Sequence, residues 1–194
     1  TAGDDILVSG AASEQLQGGE GNDTLSGGAG DDFMSGDAGS DTFVFGVSTA
    51  ANGTDTVFDF TAGALVDGGD VIAFSGLAAL TELRGNGAQI LPSDGTGTLG
   101  AETGFAIFEG EAATGVTLDS LADGLELGDG QQIFVMAAVT DPNLGTIVSL
   151  GLATGGTGGD ASVETLANFE GPLPQTFASP GFIDDNLQDF GLIV

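Results

Sequence analysis

The chain has 194 residues, with 29 acidic residues against one basic residue and no Cys, His, Trp or Tyr, for a net charge of −28. Its lone basic residue, Arg84, can neither replace the counterions of a nucleic acid nor hold an anionic membrane surface. Without Cys or His there is no disulfide framework, no Cys/His zinc centre, no Ser-His-Asp triad and no Cys nucleophile, whereas oxygen-ligand metal binding and two-carboxylate chemistry remain.

The charge does not imply disorder. Hydrophobic residues make up 41% of the chain, and 13 are Phe, far above the apolar content of disordered acidic segments. This combination predicts a chain that folds once its carboxylates are neutralised, with divalent cations as the natural neutralisers. The 36 Gly predict tight turns and short strands, and they lack the every-third-residue spacing of collagen. The longest apolar run, Ile133–Val139, is too short to span a bilayer.

From the first residue to about 45 the sequence repeats every nine residues. Residues 18–26 read GGEGNDTLS, 27–35 read GGAGDDFMS and 36–44 read GDAGSDTFV. The frame extends backwards through SGAASEQLQ and TAGDDILV. Position six is Asp5, Glu14, Asp23, Asp32 and Asp41, and position eight is Leu7, Leu16, Leu25, Met34 and Phe43. The first six residues of each repeat predict a turn, and the last three a very short strand with position eight inward. Two repeats then make one coil, and strands n and n+2 pair in parallel. Leu7, Leu25 and Phe43 line one sheet, and Leu16 and Met34 the other. Asp5, Asp23 and Asp41 fall along one edge, Glu14 and Asp32 along the other, and such rows repel without a cation.

The pattern G-G-x-G-x-D-x-U-x resembles the calcium-binding repeat of the RTX family of secreted bacterial proteins. That resemblance implies a parallel β-roll over 1–75 with its cap; the residues beyond it read as a β-rich region over 76–194, so the chain as a whole reads as all-β. It also implies Ca2+ held between turns of adjacent coils. The ligands would be the carboxylates of Asp5, Asp23, Asp32 and Asp41 and turn carbonyls at Gly18, Glu20, Gly27, Ala29, Gly36 and Ala38. Two repeats depart from the pattern. Glu14 and Ala12 replace Asp and Gly, which predicts a weak site at that turn. Asp37 replaces the second Gly of its repeat, which predicts a distorted turn or an added ligand.

Residues 54–60 (TDTVFDF) and 67–74 (DGGDVIAF) resemble the segment that closes RTX rolls. The resemblance places Asp55, Asp59 and Asp70 near calcium; solvated carboxylates at strand ends are the alternative. Physically, a Phe-rich segment of this kind can cover an open coil end. Leu77–Leu83 is read as the only short helix, with Arg84 at its C-terminus. Residues 104–109, 131–140 and 145–150 read as strands of an antiparallel β unit, and 153–160 as a flexible loop. Glu109 and Glu111 share a strand face, but nothing marks a cleft, so a solvated face is the plainest reading, metal ligation the next and catalysis the last.

The terminal IDDNLQDFGLIV resembles the uncleaved type I export signal of RTX proteins, or is an ordinary apolar terminal strand. Export implies the type I machinery as a transient partner. The favoured reading is a non-enzymatic extracellular protein that folds on calcium after export: a surface-layer, fibre or adhesion subunit. Its apolar segment 104–151 would associate with further copies, another extracellular protein or a cell-surface glycan. The alternative is the C-terminal calcium-binding and export module of a larger secreted hydrolase such as a protease or lipase. Thr1 falls at position two of a repeat, as in a chain cut from a longer one.

Overall fold

The computed structural model describes residues 2–61, 69–76, 87–92, 98–100, 103–111, 116–141 and 145–170. The chain forms two compact units, one holding Thr1–Leu77 with the stretch that begins at Leu166, the other holding Ala78–Thr165.

The first unit is a parallel roll built by the nine-residue repeat. Its early strands are β1 (Ile6–Val8), β2 (Gln15–Glu20), β3 (Thr24–Ser26), β4 (Phe33–Ala38) and β5 (Thr42–Gly46). Strands two apart pair in parallel, with Leu7 opposite Leu25, Leu25 opposite Phe43, and Leu16 opposite Met34. Position eight therefore faces inward in both sheets. Leu25, Met34 and Phe43 are fully buried, and burying each such side chain contributes about 1.5–3 kcal/mol.

A one-turn helix, α1 (Thr49–Asn52), follows β5 and is capped by the Ser48 side chain. Then β6 (Asp55–Val57) joins β4, and β7 (Val71–Ser75) joins β5. The segment expected to lie across the coil end thus continues the roll instead, with Val57 opposite Met34 and Ile72 opposite Phe43. The first unit is completed from far along the chain. Ala167, Asn168 and Phe169 pair in parallel with Asp55, Thr56 and Val57. Phe169 packs edge-on against Phe45 and Phe60, and Phe60 tilts against Phe43. The buried Asn52 holds this junction, accepting from Gly46 N at 2.6 Å and donating to the Leu166 carbonyl at 2.9 Å.

The second unit contains β8 (Gly87–Pro92), β9 (Thr103–Glu111), α2 (Leu118–Asp123), β10 (Gln132–Asp141) and β11 (Gly145–Gly155). β12 (Ala161–Phe169) begins in this unit and ends in the first. The expected antiparallel unit is a mixed sheet: β10 and β11 are antiparallel, but β8–β9 and β9–β10 are parallel. The expected loop 153–160 is also different, since β11 runs to Gly155 and only the residues beyond it turn.

α2 is a helix the sequence reading passed over. Thr117 and Ser120 form a capping box, and Leu118, Leu121 and Ala122 bury its apolar face. They pack with Ala106, Phe108, Ile133, Val135 and Ala137 from one face of the sheet. On the other face Phe105, Ile107, Phe134, Met136 and Leu150 are buried as well. The apolar surface expected to be left over on 104–151 is therefore absent among the described residues. The predicted helix 77–83, Arg84 and the terminal export segment lie outside the described residues, as do the side chains of Glu109 and Glu111.

Candidate calcium-binding rows

Two ladders of acidic residues climb the edges of the roll, and the backbone of each coil builds the next rung. Asp5 N donates to Asp23 Oδ1 at 2.8 Å, Asp23 N to Asp41 Oδ1 at 2.8 Å, and Asp41 N to Asp70 Oδ1 at 2.9 Å. On the other edge Glu14 N donates to Asp32 Oδ1 at 2.8 Å, and Asp32 N to Asp55 Oδ1 at 3.1 Å. The return bonds use the same residues: Thr24 N donates to the Asp5 carbonyl, Thr42 N to that of Asp23, and Val71 N to that of Asp41.

Asp23, Asp32, Asp41, Asp55 and Asp70 thus each spend one oxygen on the neighbouring coil. In three of them the other oxygen is the anomaly. Asp23 Oδ2, Asp32 Oδ2 and Asp55 Oδ2 are buried without a hydrogen-bond partner. An unpaired buried polar atom costs about 1–3 kcal/mol, more when charged. Burial first, and then repulsion from the next rung, raises the pKa of Asp32 and of Asp41 and lifts those of Asp55 and Asp70 to about 7.

The space beside these oxygens is kept open by glycine. A Cβ on Gly18 would fall on Asp23 Oδ2 and lie 2.8 Å from the Gly36 carbonyl oxygen. A Cβ on Gly27 would fall on Asp32 Oδ2, and one on Gly36 on Asp41 Oδ2. Position four needs glycine for a different reason. Gly21 has φ 128°, and a Cβ there would press on the Gly3 backbone of the coil below.

Chemically this is a site for a hard cation. Anionic oxygens lie buried and unsatisfied next to backbone carbonyls, with no nitrogen or sulfur donor at hand, which suits Ca2+. The carboxylates of Asp23, Asp32, Asp41, Asp55 and Asp70 would hold it, with Asp5 at the open end of its row. The turn carbonyls of Gly18, Glu20, Gly27, Ala29, Gly36 and Ala38 are the remaining donors. Glu20 O and Ala38 O already accept from Gly3 N and Gly21 N, but a carbonyl oxygen has a second lone pair. Among the described residues no three acidic groups converge on one point, so carbonyls must complete any coordination shell.

Asp59 is placed differently from the rows. It accepts from Ser35 Oγ at 2.6 Å, Gly36 N at 3.1 Å and Asp37 N at 2.8 Å, so it anchors the second half of β4. Asp37 takes a left-handed φ of 67° at the position where the repeat calls for Gly, and its side chain points to solvent. The degenerate repeat closes its own site. Ser9 stands where the others have glycine, and its hydroxyl lies within reach of both Glu14 Oε2 and the Gly27 carbonyl. Sequence reading marked Glu14 as weak but missed that Ser9 is its partner.

Asp23→Ala is therefore expected to weaken calcium binding by on the order of tenfold or more, since ligand charge sets affinity. Glu14→Ala should change it far less. Calorimetric titration giving the reverse order would place the ion on the wrong residues.

No curated protein shows detectable similarity to the chain. The model of the RTX calcium-binding nonapeptide repeat matches residues 8–43 in four copies. That interval carries Glu14, Asp23, Asp32 and Asp41 and the position-eight residues Leu16, Leu25, Met34 and Phe43. Residues 8–43 are an array of RTX nonapeptide repeats, and the cation such repeats bind is Ca2+.

Proposed function

We propose that this chain is an extracellular, non-enzymatic structural protein whose roll folds on calcium after export. The observation that carries this reading is the pair of acidic ladders with buried, unsatisfied carboxylate oxygens. The ion-free fold contains its own opposition, and millimolar calcium outside the cell removes it. Bound Ca2+ supplies charge neutralisation and oxygen coordination, and its binding free energy becomes folding free energy. Low cytosolic calcium leaves the chain extended for an export channel, and the absence of Cys removes any oxidising step from folding.

Assembly is the role we favour, through the exposed β1 strand rather than through 104–151. Among the described residues β1 is an edge strand, and its Ile6 and Val8 are 80% and 71% exposed. An open edge flanked by apolar side chains is a template for a further strand. In millimolar Ca2+, light scattering should show association that Val8→Lys reduces, because a charge on an edge strand opposes pairing. A chain that stays monomeric at high concentration in calcium would remove this role. The calcium-binding module of a larger secreted hydrolase would then be the better reading, and the intact mass of the native protein would decide it.

A further inference from the structure

One face of the roll carries groups that neither the ion rows nor the core uses. Outward strand positions in the middle repeats are polar: Gln15, Gln17, Thr24, Ser26, Ser35 and Thr42. β4 breaks this rule at Phe33. Phe33 stands outward, and beside it lies Phe58, two residues beyond Thr56, the residue paired with Phe33. The two rings stack with centroids 5.6 Å apart and planes 18° apart, and each residue is 43% exposed. Further along β4 on the same face is Asp37, an acidic residue in a left-handed conformation where the preceding repeats have Gly19 and Gly28. Such a departure from glycine holds strain that the fold alone does not call for.

The Asp37 carboxylate is held on this face by neutral donors. Gln17 Nε2 donates to Oδ2 at 2.7 Å, and Ser35 Oγ lies 2.9 Å from Oδ1. Ser35 Oγ also lies 2.6 Å from Asp59 Oδ2, so its single hydroxyl hydrogen serves two carboxylates. The face therefore presents an exposed aromatic pair next to an exposed carboxylate that shares one of its two donors with Asp59.

We propose that this face binds an arginine-bearing segment of another protein. A guanidinium is planar, stacks on aromatic rings and donates in a fork to a carboxylate, so one side chain can engage the Phe33–Phe58 pair and Asp37 together. Charge complementarity names the occupant. A chain of net charge −28 repels acidic partners, and a second copy would bring only one basic side chain, Arg84. The surface exists only when β2, β4 and β6 are in register, so binding requires the calcium-folded roll. It is separate from the β1 edge and does not depend on self-association.

The test is fluorescence anisotropy of a labelled peptide of alternating Arg and Gly, with the full chain in millimolar Ca2+. Phe33→Ser, Phe58→Ser and Asp37→Gly should each weaken binding roughly three- to tenfold. The citrulline peptide, which keeps the shape and loses the charge, should bind far less. Phe58→Leu keeps the apolar bulk, and it should weaken binding like Phe58→Ser with an unchanged circular dichroism spectrum. Asp129→Asn removes an equal charge from an exposed site in the other unit and should leave binding unchanged. Equal weakening by Asp129→Asn and Asp37→Gly would mean diffuse electrostatics and would overturn the proposal. So would unaltered binding in Phe58→Leu, a citrulline peptide that binds as well, or displacement of the peptide by a neutral oligosaccharide.

Discussion

A single methyl group at Gly18 or Gly27 is expected to raise the calcium concentration needed for folding by roughly tenfold or more, from an overpacking cost of about 1–3 kcal/mol. The added Cβ falls on the buried Oδ2 of Asp23 or Asp32, the atom left without a partner in each row. The carboxylate has no easy retreat, because its other oxygen is bonded to the backbone of the neighbouring coil. Gly10→Ala is the matched comparison. A Cβ there meets nothing within 4 Å, so folding should follow the natural chain. Calcium titrations monitored by circular dichroism would separate the three variants. If Gly18→Ala folds as readily as Gly10→Ala, the space beside Asp23 is not where the ion binds.

Acid is expected to do part of the work of calcium. In the ion-free roll, burial raises Asp55 and Asp70 from an ordinary 3.8 to about 7. A carboxyl whose pKa is higher folded than unfolded binds its proton more tightly in the fold, so protonation stabilises the fold. That contribution is complete below about pH 4, is lost as pH rises towards 7, and is absent above it. In chelator, β signal should therefore grow as pH falls from about 7.5 to about 5, opposite in direction to ordinary acid denaturation. Asp55→Asn and Asp70→Asn remove the buried charges and should flatten this dependence, giving more β structure in chelator at neutral pH. A β signal that declines on acidification through this window would contradict the placement of these two carboxylates in the roll.

The roll was legible because the repeat writes one structural unit five times. A nine-residue period with a constant apolar position fixes strand spacing, inward face and n to n+2 pairing together, and the Asp rows follow from the same arithmetic. Legibility faded where the period ended. Rungs 18 residues apart give way to separations of 23 at Asp32–Asp55 and 29 at Asp41–Asp70, so the last coil looked like a cap. The pairing of Ala167–Phe169 with β6 joins residues more than a hundred positions apart, and no local pattern encodes such a contact. The apolar strands 103–111 and 132–141 were visible as strands, but their partners were not. Buried on both faces, they show no alternation from which direction could be read. α2 was hidden by its shortness, although Thr117 and Ser120 were the capping signal that could have revealed it. Within the site, the unsatisfied oxygens could only be seen once the coils were stacked.

The most direct test of the account is circular dichroism of the full chain at pH 7.5, first in chelator and then with Ca2+ added to millimolar concentration. A largely unfolded chain in chelator is predicted, with β signal appearing at about 10−4–10−3 M Ca2+, the range of extracellular calcium modules. Equal Mg2+ should restore far less, because it dehydrates reluctantly and demands tight octahedral geometry. A spectrum that is the same in chelator and in calcium would contradict the claim that these carboxylate rows make folding depend on the ion.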